Sequence, residues 1–112
     1  MEAEIQTVGK NLVISMSGRF DYNVSQEFRP RMEAFPWSSI DTVYFDLKNV
    51  DFVDSVGMGT LIGLNSTCKN RGARLLILNP GEDVLHSMQL MKLDLVLEIL
   101  PECSVESLLE KS

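Results

Sequence analysis

Residues 74–78, Arg-Leu-Leu-Ile-Leu, constrain the fold more than any other stretch. Leu75 to Leu78 is an unbroken apolar run, flanked by segments of helical periodicity. Such a run suits an interior strand covered on both faces. Two further strands are legible from their alternation. In residues 11–18, Leu12, Ile14 and Met16 oppose Val13, Ser15 and Ser17; in residues 41–47, Val43, Phe45 and Leu47 oppose Tyr44 and Asp46. A weaker strand over residues 2–7 is expected to turn at Gly9-Lys10-Asn11 into the first of these, as a hairpin.

Helices fit between the strands. Asn23 is the expected N-cap of the first, with Gln26 three residues on, and Val24, Phe28, Met32 and Phe35 follow at helical spacing. Pro30 removes an interior donor and predicts a kink or a break there. A second helix is expected over 55–70, ending at Arg71-Gly72. A third, over about 82–91, follows the turn Asn79-Pro80-Gly81. A short strand near 96–99 and a helix from about 104, capped by Ser104, complete the chain. The order β-β-α-β-α-β-α-β-α implies right-handed crossovers between parallel neighbours, plus one antiparallel hairpin. The expected fold is therefore α/β: one domain over residues 1–112, with a mixed, mostly parallel sheet of four to five strands and about four helices.

Composition narrows the function. A net charge of −6 argues against a nucleic-acid footprint. There is no basic run for anionic lipid and no apolar stretch of membrane-spanning length. The acidic N-terminus lacks the apolar core of a signal peptide, which makes the cytoplasm the default location. Cys68 and Cys103 have no metal-ligand spacing, so no metal is expected, and Cys68 reads as a core residue. His86 is the single histidine, with no nucleophile–base arrangement around it, so neither a catalytic residue nor a cofactor is expected. Glu2, Glu4, Glu82, Asp83, Glu106 and Glu110 read as solvated faces.

Residues 51–64, DFVDSVGMGTLIGL, hold the candidate site. On a helix from Ser55, the residues Gly57, Leu61, Leu64 and Cys68 gather on the side expected to face the sheet. Ser55, Gly59, Gly63, Ser66 and Asn70 gather opposite. Glycine costs a solvated helix up to about 1 kcal/mol relative to alanine, which suits a surface that another molecule approaches closely. Met58 and Ile62 flank this stripe; they are either partner contacts or tucked under a neighbouring loop. Ser55 has two readings. It is the N-cap of its helix, or it is a modification site, where free amides and the helix dipole stabilise an added phosphate. Asp54 stands beside it, where its charge would help position a kinase's metal or the serine proton and afterwards repel the phosphate.

Asp54-Ser55-Val56-Gly57-Met58-Gly59 resembles the D-S-[ST]-G-[LM]-G segment of the STAS-domain anti-sigma factor antagonists of bacteria. Gly18-Arg19-Phe20-Asp21 is similar to that family's G-E-L-D, and the similarity extends over essentially the whole chain. The resemblance implies a non-enzymatic switch. Ser55 would be phosphorylated by a serine-protein kinase that is also an anti-sigma factor. The unphosphorylated form would bind that kinase and free the sigma factor, and a metal-dependent serine phosphatase would restore it. By position, Asp21, Asp54, Val56 and Gly57 would surround the phosphosite, and Arg19, Tyr22, Met58, Gly59, Ile62, Gly63 and Ser66 would meet the partner. Family form favours a monomer. Departures are Val56 for a second hydroxyl residue, Arg19 for an acid, Lys92 for a glycine after the third helix, and Pro30. STAS-like domains also serve as constitutive binding modules in transporter assemblies, which is the alternative.

Overall fold

The computed structural model describes residues 2–110; Met1, Lys111, Ser112 and the side chain of Glu2 lie outside the described set. Its elements are β1 (Glu2–Val8), β2 (Asn11–Phe20), α1 (Tyr22–Glu33), β3 (Thr42–Val53), α2 (Ser55–Asn70), β4 (Arg74–Leu78), α3 (Glu82–Leu90), β5 (Glu98–Leu100) and α4 (Val105–Glu110). Short 3-10 turns occur at Trp37–Ser39 and Leu93–Leu95. The five strands lie side by side in chain order. β1 and β2 form the expected antiparallel hairpin, with Gly9 at φ 61 in its turn, and the remaining neighbours are parallel.

Sequential order has a direct consequence. Each right-handed crossover steps the same way, so α1, α2 and α3 fall on one face of the sheet. Their residues Phe28, Met32, Leu61, Cys68 and Met88 share one core with Leu12, Ile14, Val43, Phe45 and Ile77. The alternation read in β2 and β3 points these strand residues to that face. Burial pushes the Cys68 thiol up to about 11, as an apolar site disfavours the thiolate. The opposite face carries Val13, Tyr44, Leu76 and Leu78, packed by Leu108 and Leu109 of α4. Ser104 does cap α4, its hydroxyl accepting from Ser107 N at 3.3 Å.

Three rings hold the sheet to α1. Phe20, Phe28 and Phe45 meet pairwise at centroid distances of 6.2, 5.9 and 5.7 Å. Each such pair adds about 0.5–1.5 kcal/mol beyond its buried area. Phe20 is the last residue of β2, so this cluster fixes the position of whatever follows it.

Several expectations are corrected. Asn23 does not cap α1: Asp21 does, accepting from Val24 N at 3.1 Å. Pro30 does not break the helix, which runs as one element to Glu33 with Pro30 in its last turn. Pro30 gives Gln26 O no hydrogen bond, but only one turn follows it, and the Pro30 carbonyl still accepts from Ala34 N at 3.0 Å. Lys92, where the resembled family has glycine, sits at φ 61 in the left-handed region, a conformation that disfavours any side chain with a Cβ. His86 is exposed, as are Glu4, Glu82, Asp83, Glu106 and Glu110.

Candidate functional site at two adjoining helix starts

β2 and β3 are parallel neighbours, and Phe20 pairs with Val53 at their last residues. The chain therefore leaves both strands at the same edge, in the same direction, and each exit begins with an aspartate. Asp21 and Asp54 occupy equivalent places. Asp21 O accepts the first helical bond of α1 from Ser25 N (2.9 Å), and Asp54 O that of α2 from Met58 N (2.9 Å). The carboxylates cap their own helices through Val24 N (3.1 Å) and Gly57 N (2.8 Å).

The two starts are also tied together. The second oxygen of Asp54 accepts from Tyr22 N, the first amide of α1, at 3.0 Å. Asp54 N donates to Phe20 O at 3.2 Å. Gly57 allows this closeness: a Cβ there would stand 2.4 Å from Phe20 O and 2.9 Å from a methyl of Val53. Gly57 thus faces the sheet as expected, and its role is to let α2 seat against β2.

Ser55 is accordingly not the N-cap. Asp54 takes that role, and Ser55 is the first helical residue, exposed, with no hydrogen bond to its hydroxyl among the described residues. A helix start leaves its first amides without intrahelical acceptors. Here Gly57 N is satisfied by Asp54, and the amides of Ser55 and Val56 precede it in the same first turn. Ser55, Gly59, Gly63, Ser66 and Asn70, the stripe read from the sequence, are all exposed, and Ile62 beside them is exposed too. Met58 does not join it. It is 1% exposed and belongs to the core, so it is withdrawn as a partner contact, whereas Ile62 at 36% remains on the surface. Taking Ser55 as 0°, the buried positions run from Thr60 at about 140° to Met58 at about 300°. That arc is wider than one face because α2 packs on α1 as well as on the sheet.

Around this edge, Tyr22 is 54% exposed. Two register shifts interrupt the pairing of β2 with β3, and Gly18 stands at φ 82 beside the second, before the pairing resumes at Arg19 and Phe20. Arg19 lies there over the Phe52 ring, 4.1 Å from its centroid. A shallow hollow beside it is lined by Ser17, Arg19, Asp21 and Asn23. The structure thus brings together Arg19, Asp21, Tyr22, Asp54 and Ser55 at one edge, through the twin strand exits. The reading from sequence missed Arg29 and Thr60. Arg29 donates through Nε and Nη2 to Thr60 Oγ1 at 3.2 and 3.1 Å, joining α1 to α2 across 31 residues. No local pattern carries such a pairing.

A family model for the STAS domain matches residues 2–105. The chain belongs to the STAS domain family. Over 67 residues, 59% of this STAS domain, it is 28% identical to an anti-sigma F factor antagonist of Paenibacillus polymyxa, and the match spans 57% of that relative's length. Over 76 residues it is 30% identical to a STAS-domain containing protein of Pseudomonas aeruginosa, covering 68% of this chain and 74% of the other. The fold is that of the anti-sigma factor antagonist SpoIIAA in its unphosphorylated form, with a TM-score of 0.78 at 18% identity over 98% and 96% of the two chains. The phosphorylated form of the Bacillus SpoIIAA gives 0.76 at the same identity, over 98% of each chain. A sulfate transporter family protein from Wolinella succinogenes shares the fold at 0.74, with 15% identity over 89% and 87% of the chains.

Proposed function

We propose that this STAS domain is a phosphorylation-controlled anti-sigma factor antagonist that switches partners through Ser55. One observation carries the reading: the Ser55 hydroxyl is exposed at the first turn of α2 and released from capping by Asp54. A phosphate there would carry about −1.5 to −2 charges. It would meet the free amides and the positive end of the helix dipole. Its own fold tolerates it, while Asp54 alongside adds to the negative field met by a docked partner. Both oxygens of the neighbouring Asp54 carboxylate already accept from backbone amides, Gly57 N and Tyr22 N, and the hydroxyl is activated by the kinase. Ser55 Oγ attacks the γ-phosphorus of ATP held by the kinase, the hydroxyl proton passes to a base of the kinase, and ADP leaves. The kinase is a serine-protein kinase that doubles as an anti-sigma factor. The phosphate is removed by a metal-dependent serine phosphatase, and the domain acts as a monomer in the cytoplasm. Partner contacts fall on Arg19, Tyr22, Gly59, Ile62, Gly63 and Ser66.

The likeness to a transporter protein's fold supports a second reading, a constitutive binding module. Incubation with the serine kinase/anti-sigma factor of the same cell and ATP separates the two. The first reading expects one phosphate, located at Ser55 by peptide mass analysis, and none in Ser55→Ala. It also expects Ser55→Asp to bind that kinase at least about tenfold more weakly than wild type, a change of about 1.4 kcal/mol. An unmodified Ser55, with equal binding by wild type and Ser55→Asp, overturns it.

A further inference from the structure

A groove between α1 and α2 is untouched by the chemistry of Ser55. Its cavity measures about 370 Å³, and Phe28, Met32, Trp37 and Leu64 contribute its apolar lining. That volume falls at the small end of the ~300–1,000 Å³ typical of ligand pockets. Two further observations say what kind of ligand suits it.

The first is open space. Gly59 and Gly63 line the groove, and a Cβ built on either would meet nothing within 4 Å. Gly57 is required by the approach of Phe20 O; these two glycines are required by no contact within the chain. Each weakens the helix by up to about 1 kcal/mol relative to alanine. The surface above them is left flat and clear.

The second is charge. Arg29 and Arg71 line the same groove, in a chain of net charge −6. Arg29 is held in place by Thr60, whose own hydroxyl donates to Val56 O at 3.0 Å. The ion pair among the described residues is Arg74–Glu98; neither groove guanidinium has a carboxylate in pairing range, although Glu33 lines the groove too. An oriented guanidinium with spare donors favours a planar, bidentate acceptor such as a carboxylate.

We propose that the α1–α2 groove binds a small amphipathic anion, a flat apolar body lying over Gly59 and Gly63 with a carboxylate paired to Arg29 and Arg71. Gly59 and Gly63 also belong to the surface proposed for the kinase, but binding of the small anion requires no phosphate on Ser55 and is read without the kinase. Isotope-labelled full-length protein, titrated with naphthoate, with its neutral analogue naphthylmethanol and with inorganic phosphate, tests it by amide and indole NMR shifts. Naphthoate is expected to shift the Gly59 and Gly63 amides and the Trp37 Nε1–H, which donates to Met32 O at 3.0 Å. Naphthylmethanol is expected to bind at least about tenfold more weakly, since charge-assisted bonds are the stronger ones, and phosphate alone to leave the Trp37 signal unmoved. Arg71→Ala, an exposed position, is expected to weaken naphthoate several-fold without lowering Tm. Gly63→Leu is expected to abolish binding by filling the groove. The proposal is overturned if naphthoate moves none of these signals, moves only those of the exposed apolar residues Leu90, Met91, Leu95 and Val96, binds no better than the alcohol, or binds Arg71→Ala undiminished.

Discussion

At the start of α1, Asp21 caps one amide and is followed by Tyr22; at the start of α2, Asp54 caps one amide of its own helix and one of its neighbour's, and is followed by Ser55. Both helices leave parallel strands that end in register, so their first turns occupy comparable places at the same sheet edge. The dependence runs one way: α1 draws its first bond from Asp54, and α2 draws none from the Asp21 side chain. The third helical residue differs as well, buried Val24 in α1 and Gly57 in α2. The start of α2 is thus pressed against the backbone of β2 and shared with α1, while the hydroxyl it presents is left free.

The largest expected effect tests that pressing. Gly57→Ala puts a methyl where Phe20 O stands 2.4 Å away, and a strand-end carbonyl cannot swing aside as a flexible side chain can. Overpacking of this kind costs about 1–3 kcal/mol, and a backbone clash belongs at the upper end. Urea unfolding should show the loss, while Gly59→Ala two residues later should match or exceed wild type. Equal stabilities for the two variants would remove the contrast between the helix starts.

The caps come next. Asp54→Ala leaves two amides without their acceptor, Gly57 N and Tyr22 N, whereas Asp21→Ala leaves Val24 N alone. Loss of an N-cap typically costs about 1 kcal/mol and reaches about 2. Asp54→Ala is expected near the top of that range and Asp21→Ala near the middle. Chemical denaturation measures both, and equal losses would mean that the bond to Tyr22 contributes nothing.

These caps also show where the sequence was legible. Alternation in β2 and β3, and the unbroken run in β4, identified the sheet because a strand with one or two buried faces has no other pattern. The motif at Asp54-Ser55 located the edge that carries the candidate site. Of the caps, Asn23 was read where Asp21 stands, and of the two readings of Ser55 the N-cap falls to Asp54. Each lies in a cluster of residues able to cap, and only the exact end of the preceding strand chooses among them. Met58 was misread because a helical wheel assumes one buried face, and α2 has two neighbours. The α1–α2 groove was not legible at all. It depends on Arg29 reaching Thr60 and on space above two glycines, and neither has a local signature.

The smallest expected effect on the fold carries the most weight for the switch. Ser55→Asp adds a negative charge at the first turn of α2, where the dipole favours it by about 0.3–1 kcal/mol, less the repulsion from Asp54. Tyr22→Asp adds the same charge at the first turn of α1, also exposed and also close to Asp54 through the Tyr22 amide. Both variants should therefore unfold within about 1 kcal/mol of wild type, by the same dipole argument. If α2 is the switch and α1 its support, the pair should part on partner binding. Ser55→Asp should abolish capture of the kinase, and Tyr22→Asp should weaken it only as the loss of one aromatic contact does. A large stability loss in Ser55→Asp would show that the added charge damages the helix it sits on, and the difference in binding would then report unfolding in place of recognition.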